Sequence, residues 1–504
     1  MRLAGGNRSS GFYSPNQSAT NAKRRGKPAI GPSRSIFIRM SFFSRTFPVA
    51  TVASALVLAL AVPAVAVDAT PSPSPTESPA TTASPSPSPS VSAPVLIPNQ
   101  PNSCSAAAAV SQSALGQFYA YVVDVNSGRV LLDIRGNEST PSASVLKVLS
   151  VAAALTNLPS SYTATTRVLT VPSQPGTIVL RGGGDHTLSQ MTKGSYTTYA
   201  KAARLETLAN KVLTGWTSDK PITKIILDSS FFSGESYSPH WLASDRTNGY
   251  ISHITALQVD SDRANGDQTS RSYSGYRSTD PVLKTGTLFK SALKGLAPNA
   301  KLVKGSTPKD AIELTSVTSQ PITTWMAHAT GISDNTETEF IARHAAKAIG
   351  LPASFASVEP MVKNMLAGLG IDASQLVMKD ASGLAQANRV TPKMITALMQ
   401  KVAQGSTALT PLESYLPVAG VGPGSMGGRF TGANAVARKF VRGKTGFIPG
   451  LYSLAGIINA KDGSRLAYSI FARSAGGKKV GWSTRGALDT VATRFYSCGA
   501  GLYL

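Results

Sequence analysis

Residues 68–100 are mostly Pro, Ser, Thr and Ala, with Pro-Ser alternation over 71–75 and 85–89. Alternating proline removes backbone donors and favours extended polyproline conformers, so this stretch cannot build a core. It reads as a semi-stiff tether. Everything that folds must lie after it, in a body of roughly 400 residues, enough for one large domain or a few smaller ones. Hydrophobic residues make up 42% of the chain and charged residues 15%, which excludes a wholly disordered protein.

The segment before the tether reads as an address. Phe47 to Val67 is an apolar run broken by Thr51, Ser54, Pro48 and Pro63, with Arg39 and Arg45 before it. Ala64-Val65-Ala66 supplies the small-residue pattern a signal peptidase accepts, so residues 1–67 are expected to be an N-terminal extension with an export signal. Uncut, the run is long enough to span a bilayer, which leaves a membrane anchor as the alternative. Met40 is a candidate start, because 39 preceding residues exceed an ordinary signal's charged region.

Charge is uneven. The chain carries +23, yet residues 1–67 hold nine Lys/Arg and no acid, leaving 40 against 26 in the remainder. A basic body fits contact with polyanions. No basic run interleaved with aromatics appears in it, so nucleic acid is not expected as a partner.

Cys104 and Cys498 stand at opposite ends of the body. An exported protein meets a space where a disulfide is allowed, and such a bridge would tie the first and last elements together; two buried thiols are the alternative. There is no C-x-x-C, and the five histidines form no H-x-x-x-H pair, so neither a metal site nor a cofactor is expected.

Strand-like Phe118–Asp124 and Val130–Ile134 flank the turn residues Asn126-Ser127-Gly128 and read as a hairpin. An Ala/Val/Leu-rich stretch, Pro141–Leu155, reads as a buried helix. Near the C-terminus, Leu451–Ile458 and Arg465–Phe471 form a second hairpin around Lys461-Asp462-Gly463, and Trp482–Tyr496 looks helical. This pattern implies an α+β fold, an antiparallel sheet covered by helices and built from both ends of the body. The catalytic part is expected over 101–170 and 321–504. Short strands such as Thr177–Leu180 and Ile222–Leu227 mark 171–320 as a mainly β insertion.

Three segments carry chemistry. Ser144 and Lys147 lie three apart on the expected helix, so one turn stacks them on one face. A serine hydroxyl needs a base, and a lysine can serve if burial lowers its pKa. Ser333-Asp334-Asn335 precedes a good helix start at Thr336 and can aim a hydroxyl and an amide at one cleft; standing alone it would read as a helix cap. Lys444-Thr445-Gly446 leads into a strand, where Lys and Thr can bind a carboxylate and Gly admits substrate backbone. Decoys exist: Ser291–Lys294, Ser306–Lys309 and Lys284-Thr285-Gly286. Order and context favour the first set. A Ser-His-Asp triad lacks its G-x-S-x-G elbow.

The ordered triplet resembles that of penicillin-binding proteins and serine β-lactamases. The 189-residue gap from Ser144 to Ser333 argues against class A β-lactamases, which keep these motifs close. Nor is their E-x-x-L-N loop present, the nearest stretch being Glu359–Asn364. The chain is most similar in pattern to low-molecular-mass class C penicillin-binding proteins, the D-Ala-D-Ala carboxypeptidase/endopeptidases of peptidase family S13. Leu180–Leu188 looks like that family's L-x-G-G-G-D-P-x-L, Asp228–Gly234 like D-x-S-x-F, Ile251–Leu257 like I-S-A-L, and Asp380–Leu384 with Asn388-Arg389 like D-G-S-G-L-S-R-x-N.

The resemblance implies acyl transfer on peptidoglycan stem peptides, with β-lactams as inhibitors. Ser144 would be the nucleophile and Lys147 its base. Ser333 would relay a proton and Asn335 hold the peptide. Lys444 and Thr445 would bind the terminal carboxylate, and the N–H groups of Ser144 and Phe447 the oxyanion. Asp228, Gly446 and Gln386 are carried over as substrate contacts. Three departures stand out: His186 replaces Pro in the G-G-G-D stretch, Gln386 replaces an arginine, and Phe447 replaces a small hydroxyl residue after K-T-G. They motivate the alternative of a non-catalytic wall-binding or β-lactam-sensing protein of the same fold.

Overall fold

A computed structural model describes residues 103–265, 275–405, 408–477 and 479–504. The expected export segment and tether lie outside them. No helix among the described residues is long and apolar enough to cross a membrane.

In chain order the strands are β1 (Cys104–Ser105), β2 (Gln117–Asp124), β3 (Val130–Ile134), β4 (Thr165–Thr170), β5 (Thr177–Arg181) and β6 (Lys224–Asp228). Then come β7 (Lys301–Lys304), β8 (Ile312–Thr318), β9 (Val441–Ile448), β10 (Leu451–Asn459), β11 (Arg465–Arg473) and β12 (Leu502–Tyr503). The main sheet has the order β3-β2-β11-β10-β9, all antiparallel. Both expected hairpins form, and β2 pairs with β11, so the two ends of the body meet in one sheet.

Period-two alternation explains why its strands are apolar on both sides. Tyr119, Tyr121 and Val123 of β2 enter a core with Val148, Leu149 and Ile395 from helices Lys147–Asn157 and Pro392–Ala403. Phe118, Ala120 and Val122 enter the opposite core with Leu488, Val491 and Phe495 of helix Trp482–Cys498. The sheet is thus sandwiched between helices. β1 and β12 pair in parallel beside it, and Cys104 and Cys498 form a disulfide across 394 residues.

The second sheet, order β7-β6-β5-β4-β8, is mixed: β5, β6 and β7 are parallel, while β4 is antiparallel to β5 and β8. The sequence leads one to expect a mainly β insertion. The structure adds helices Leu205–Gly215 and Pro281–Ala292, whose Leu208, Val212 and Phe289 pack on Ile178, Leu180 and Ile225. Parallel neighbours need crossover connections, and helices supply them. The decoy Lys284-Thr285-Gly286 lies inside the second of these helices, not on a strand.

Candidate active site

Ser144 does not start the α-helix. It sits in a 3₁₀ turn, Ala143–Leu146, that runs into helix Lys147–Asn157. In a 3₁₀ turn residues i and i+3 eclipse, which brings the pair together. Lys147 Nζ lies 3.1 Å from Ser144 Oγ. Ala143, just before the serine, holds a left-handed φ of 48°. That conformation costs a non-glycine residue about 1–2 kcal/mol and persists because the surroundings impose it.

Those surroundings are identifiable. A Cβ on Gly383 would lie 2.0 Å from Ala143 O, and one on Gly446 would lie 2.7 Å from Ser142 O. Ser453 Oγ on β10 donates to Ser142 O at 2.7 Å. Glycine at two positions therefore lets two segments close on the turn that presents Ser144.

Lys147 is fully buried, yet its three donor positions have acceptors. Besides Ser144, it donates to Asn335 Oδ1 at 2.6 Å and to Ser382 O at 2.6 Å. Burial brings its pKa down to about 8, against the opposing pull of Asp380, Glu339 and Asp334. When Lys147 loses a proton, two N–H bonds can still go to Asn335 and Ser382, leaving the lone pair to face Ser144.

Asn335 opens helix Asn335–Ala348, which is buried almost all round and packs against helix Lys147–Asn157. Ser333 ends the preceding helix, Ile322–Ile332, in a left-handed conformation. Asp334 then caps the next helix through Glu337 N at 3.0 Å. The cap creates the bend at which Ser333 meets Lys444 and Asn335 meets Lys147.

Lys444-Thr445-Gly446 lies within β9, the edge strand of the main sheet. Lys444 Nζ donates to Ser333 Oγ at 2.7 Å. It is fully buried, and burial first, then the charge of Lys147, push its pKa well below the lysine norm. Phe447 is 59% exposed, its ring 4.7 Å from that of Tyr452. Gln386 lines a cavity of ≈ 220 Å³ with Pro141, Arg389, Ile448 and Arg473, close in sequence to the Ser144 turn and to Phe447.

Asp228, carried over as a substrate contact, lies at the end of β6 in the second sheet, where its carboxylate accepts from Ser230 N at 2.8 Å, Thr307 N at 2.9 Å and Thr307 Oγ. It organises that strand end; burial opposes its charge, but the bonds from Ser230 and Thr307 prevail and leave its pKa lowered.

Three groups at the site have no role assigned from sequence, although Asp380 opens one of the family-like stretches. Glu339 accepts from Ala381 N and Ser382 N at 2.9–3.1 Å and so aims Ser382 O at Lys147. Its spacing of four from Asn335 was the available signal. Asp380 accepts from Gly383 N, Ala385 N and Trp241 Nε1 at 2.7–2.9 Å and folds the loop that carries Ser382. Tyr250 O accepts from Asn335 Nδ2 at 3.0 Å, bringing the insertion to the site; no motif marks it. A larger cavity, ≈ 540 Å³, lies between Arg204, Lys211 and β8. Its cations are spent on backbone carbonyls, Arg204 on Met191 and Thr192, Lys211 on Ser316.

Comparison with known proteins agrees with this arrangement. The model of the D-Ala-D-Ala carboxypeptidase 3 (S13) family matches residues 103–275 and 266–495. Carboxypeptidase DacB of Mycolicibacterium smegmatis is 34% identical over 399 residues, 78% of this chain and 84% of that protein. A carboxypeptidase of Mycobacterium tuberculosis is 33% identical over 389 residues, 76% of this chain and 81% of its own. In fold, the chain is similar to penicillin binding protein 4 of Haemophilus influenzae, with a TM-score of 0.64 at 20% identity, covering 78% of this chain and 97% of that one. A family model spanning nearly the whole body, relatives sharing a third of their residues and one three-motif cluster agree: the chain belongs to the D-Ala-D-Ala carboxypeptidase S13 family and is a serine-type carboxypeptidase.

Proposed function

We propose that this carboxypeptidase is exported to the cell envelope and hydrolyses peptidoglycan stem peptides, or the cross-links between them, through an acyl-enzyme on Ser144. The supporting observation is the convergence of three distant segments: Lys147 contacts Ser144 and Asn335, and Lys444 contacts Ser333.

Lys147, neutral in a useful fraction of molecules, takes the Ser144 proton as the hydroxyl attacks the penultimate D-Ala carbonyl. The N–H groups of Ser144 and Phe447 stabilise the oxyanion. The terminal carboxylate binds at Lys444 and Thr445, and its charge favours the protonated form of a lysine that burial has made reluctant to hold a proton. Ser333, bonded to that lysine, passes a proton to the leaving amine. Asn335 keeps a lone pair and an N–H beyond those spent on Lys147 and Tyr250, enough to hold the substrate amide. Water then attacks the ester and releases Ser144.

A β-lactam presents a strained amide and a carboxylate in the same relation, so it should acylate Ser144 and stay. A second structure of the Haemophilus influenzae protein, TM-score 0.60 at 19% identity, is complexed with a β-lactam. The test is fluorescent-penicillin labelling with D-Ala release, wild type beside Ser144→Ala. Labelling and release by wild type alone support the proposal. Equal labelling of both variants overturns the role of Ser144, and labelling without release turns the reading to a β-lactam sensor.

A further inference from the structure

The insertion reaches into the main site through one buried ion pair. Arg263 Nη2 lies 3.1 Å from Asp334 Oδ2, and both side chains are nearly inaccessible. Asp334 is the residue between Ser333 and Asn335. Tyr199, also from the insertion, joins them, accepting from Arg263 Nη1 at 2.9 Å and donating to Asp334 at 3.4 Å.

The backbone that presents Arg263 is unusual. Asp260, Ser261 and Asp262 have φ of 49°, 50° and 59°, three consecutive non-glycine residues in the left-handed region, all buried. Such residues cost about 1–2 kcal/mol each, so a run of three must be held in place. Contacts from neighbouring segments hold it. The backbone carbonyl of His186 accepts from Ser261 N at 2.8 Å. Lys284, of the decoy K-T-G, donates to Arg263 O at 2.5 Å and pairs with Asp262 at 3.3 Å.

Asp334 already accepts from Glu337 N as a helix cap. A cap needs one oxygen and no net charge, since asparagine and serine cap as well. A second oxygen on a buried guanidinium is a further function. Burial opposes charge on Asp334, but Arg263 and the Glu337 N–H prevail and hold its pKa at about 2, so the pair stays ionised throughout the working pH range.

We propose that Arg263 is a positioning residue for the reaction: its guanidinium fixes Asp334 and thereby sets Ser333 and Asn335 against Lys444 and Lys147. The insertion is then part of the catalytic apparatus, clamping the second motif from outside the main sheet. This inference rests on the acyl-transfer reading above.

The test is a set of variants of the full protein, Arg263→Met, Arg263→Lys and Asp334→Asn, assayed with fluorescent penicillin and with a D-Ala-D-Ala peptide. Thermal midpoints and near-UV circular dichroism identify folded protein. A misplacement near 1 Å costs on the order of 100-fold, so Arg263→Met should lose roughly that in acylation rate and kcat with KM changing little. Asp334→Asn keeps the cap and should lose a comparable amount. Arg263→Lys should recover part of the rate, and the double variant combining Arg263→Met with Asp334→Asn should be no slower than the worse single one. If Arg263→Met does not fold, Arg263→Lys and Asp334→Asn carry the same comparison. Folded variants that acylate within about twofold of wild type, or additive losses in the double variant, overturn the proposal. A wild type that fails to label at all instead overturns the acyl-transfer reading.

Discussion

Acylation should follow the neutral fraction of Lys147, whose pKa burial brings down to about 8. A base acts in its deprotonated form, so the rate climbs as pH rises. With that value roughly one lysine in a hundred is neutral at pH 6, about one in eleven at pH 7 and about half at pH 8. The expected gain from pH 6 to pH 8 is about fiftyfold, with a plateau beyond about pH 9. Glu339 modifies this limb. Burial first, then Asp380, raise its pKa to about 7, so it gains charge over the same interval and resists the loss of the Lys147 proton. The two groups titrate together, and the limb should be shallower than a single proton would make it. Glu339→Gln removes the growing charge; Asp380 and Asp334 still face Lys147, so the limb should move to lower pH and steepen without vanishing. Stopped-flow measurement of the second-order acylation constant from pH 5.5 to 9.5 reads both effects. A flat wild-type profile between pH 6 and 9 would refute the role of Lys147. A limb unmoved in folded Glu339→Gln would refute the coupling.

Three further outcomes are expected. Removing the bridge with Cys104→Ser and Cys498→Ser should lower unfolding free energy by about 2–5 kcal/mol in denaturant titration, below the roughly 6 kcal/mol that loop entropy alone allows for 394 residues; no loss would mean the ends are held by packing. Gly383→Ala adds a Cβ 2.0 Å from Ala143 O at a φ of +81°, so acylation should fall on the order of 100-fold and stability by about 1–3 kcal/mol, and a variant within twofold of wild type contradicts the proposed support of the Ser144 turn. Mass spectrometry of envelope fractions should find a mature N-terminus after Ala66 and no peptide from residues 1–39; a peptide spanning Ala66–Val67 would show an anchor instead, and one from 1–39 would exclude Met40 as the start.

Ser144–Lys147, Ser333–Asn335 and Lys444–Gly446 were legible because each is a short segment whose chemistry depends on residue type and local spacing. Their order, and the strand pattern beside the last, separated them from decoys that the structure places in helix Pro281–Ala292, at its end and in the loop between β7 and β8. Both hairpins and the helices at 147, 335 and 482 were legible for the same reason: periodicity and turn residues act over a few positions.

Gly383, Glu339, Tyr250 and Arg263 were not legible as parts of the site. Each acts across many residues, as Arg263 does on Asp334 or Tyr250 on Asn335, and no local pattern encodes such a pairing. Asp228 shows the converse, a residue whose motif context suggested substrate but whose oxygens accept from Ser230 beside it and from Thr307, 79 positions away. The amino-acid order alone determined the chemistry on offer, a serine with a lysine one turn away and two more polar motifs. Only the tertiary structure decided that burial would bring that lysine to a pKa near 8 and that an insertion would grip the second motif, because desolvation and long-range ion pairing exist only once distant segments have packed together.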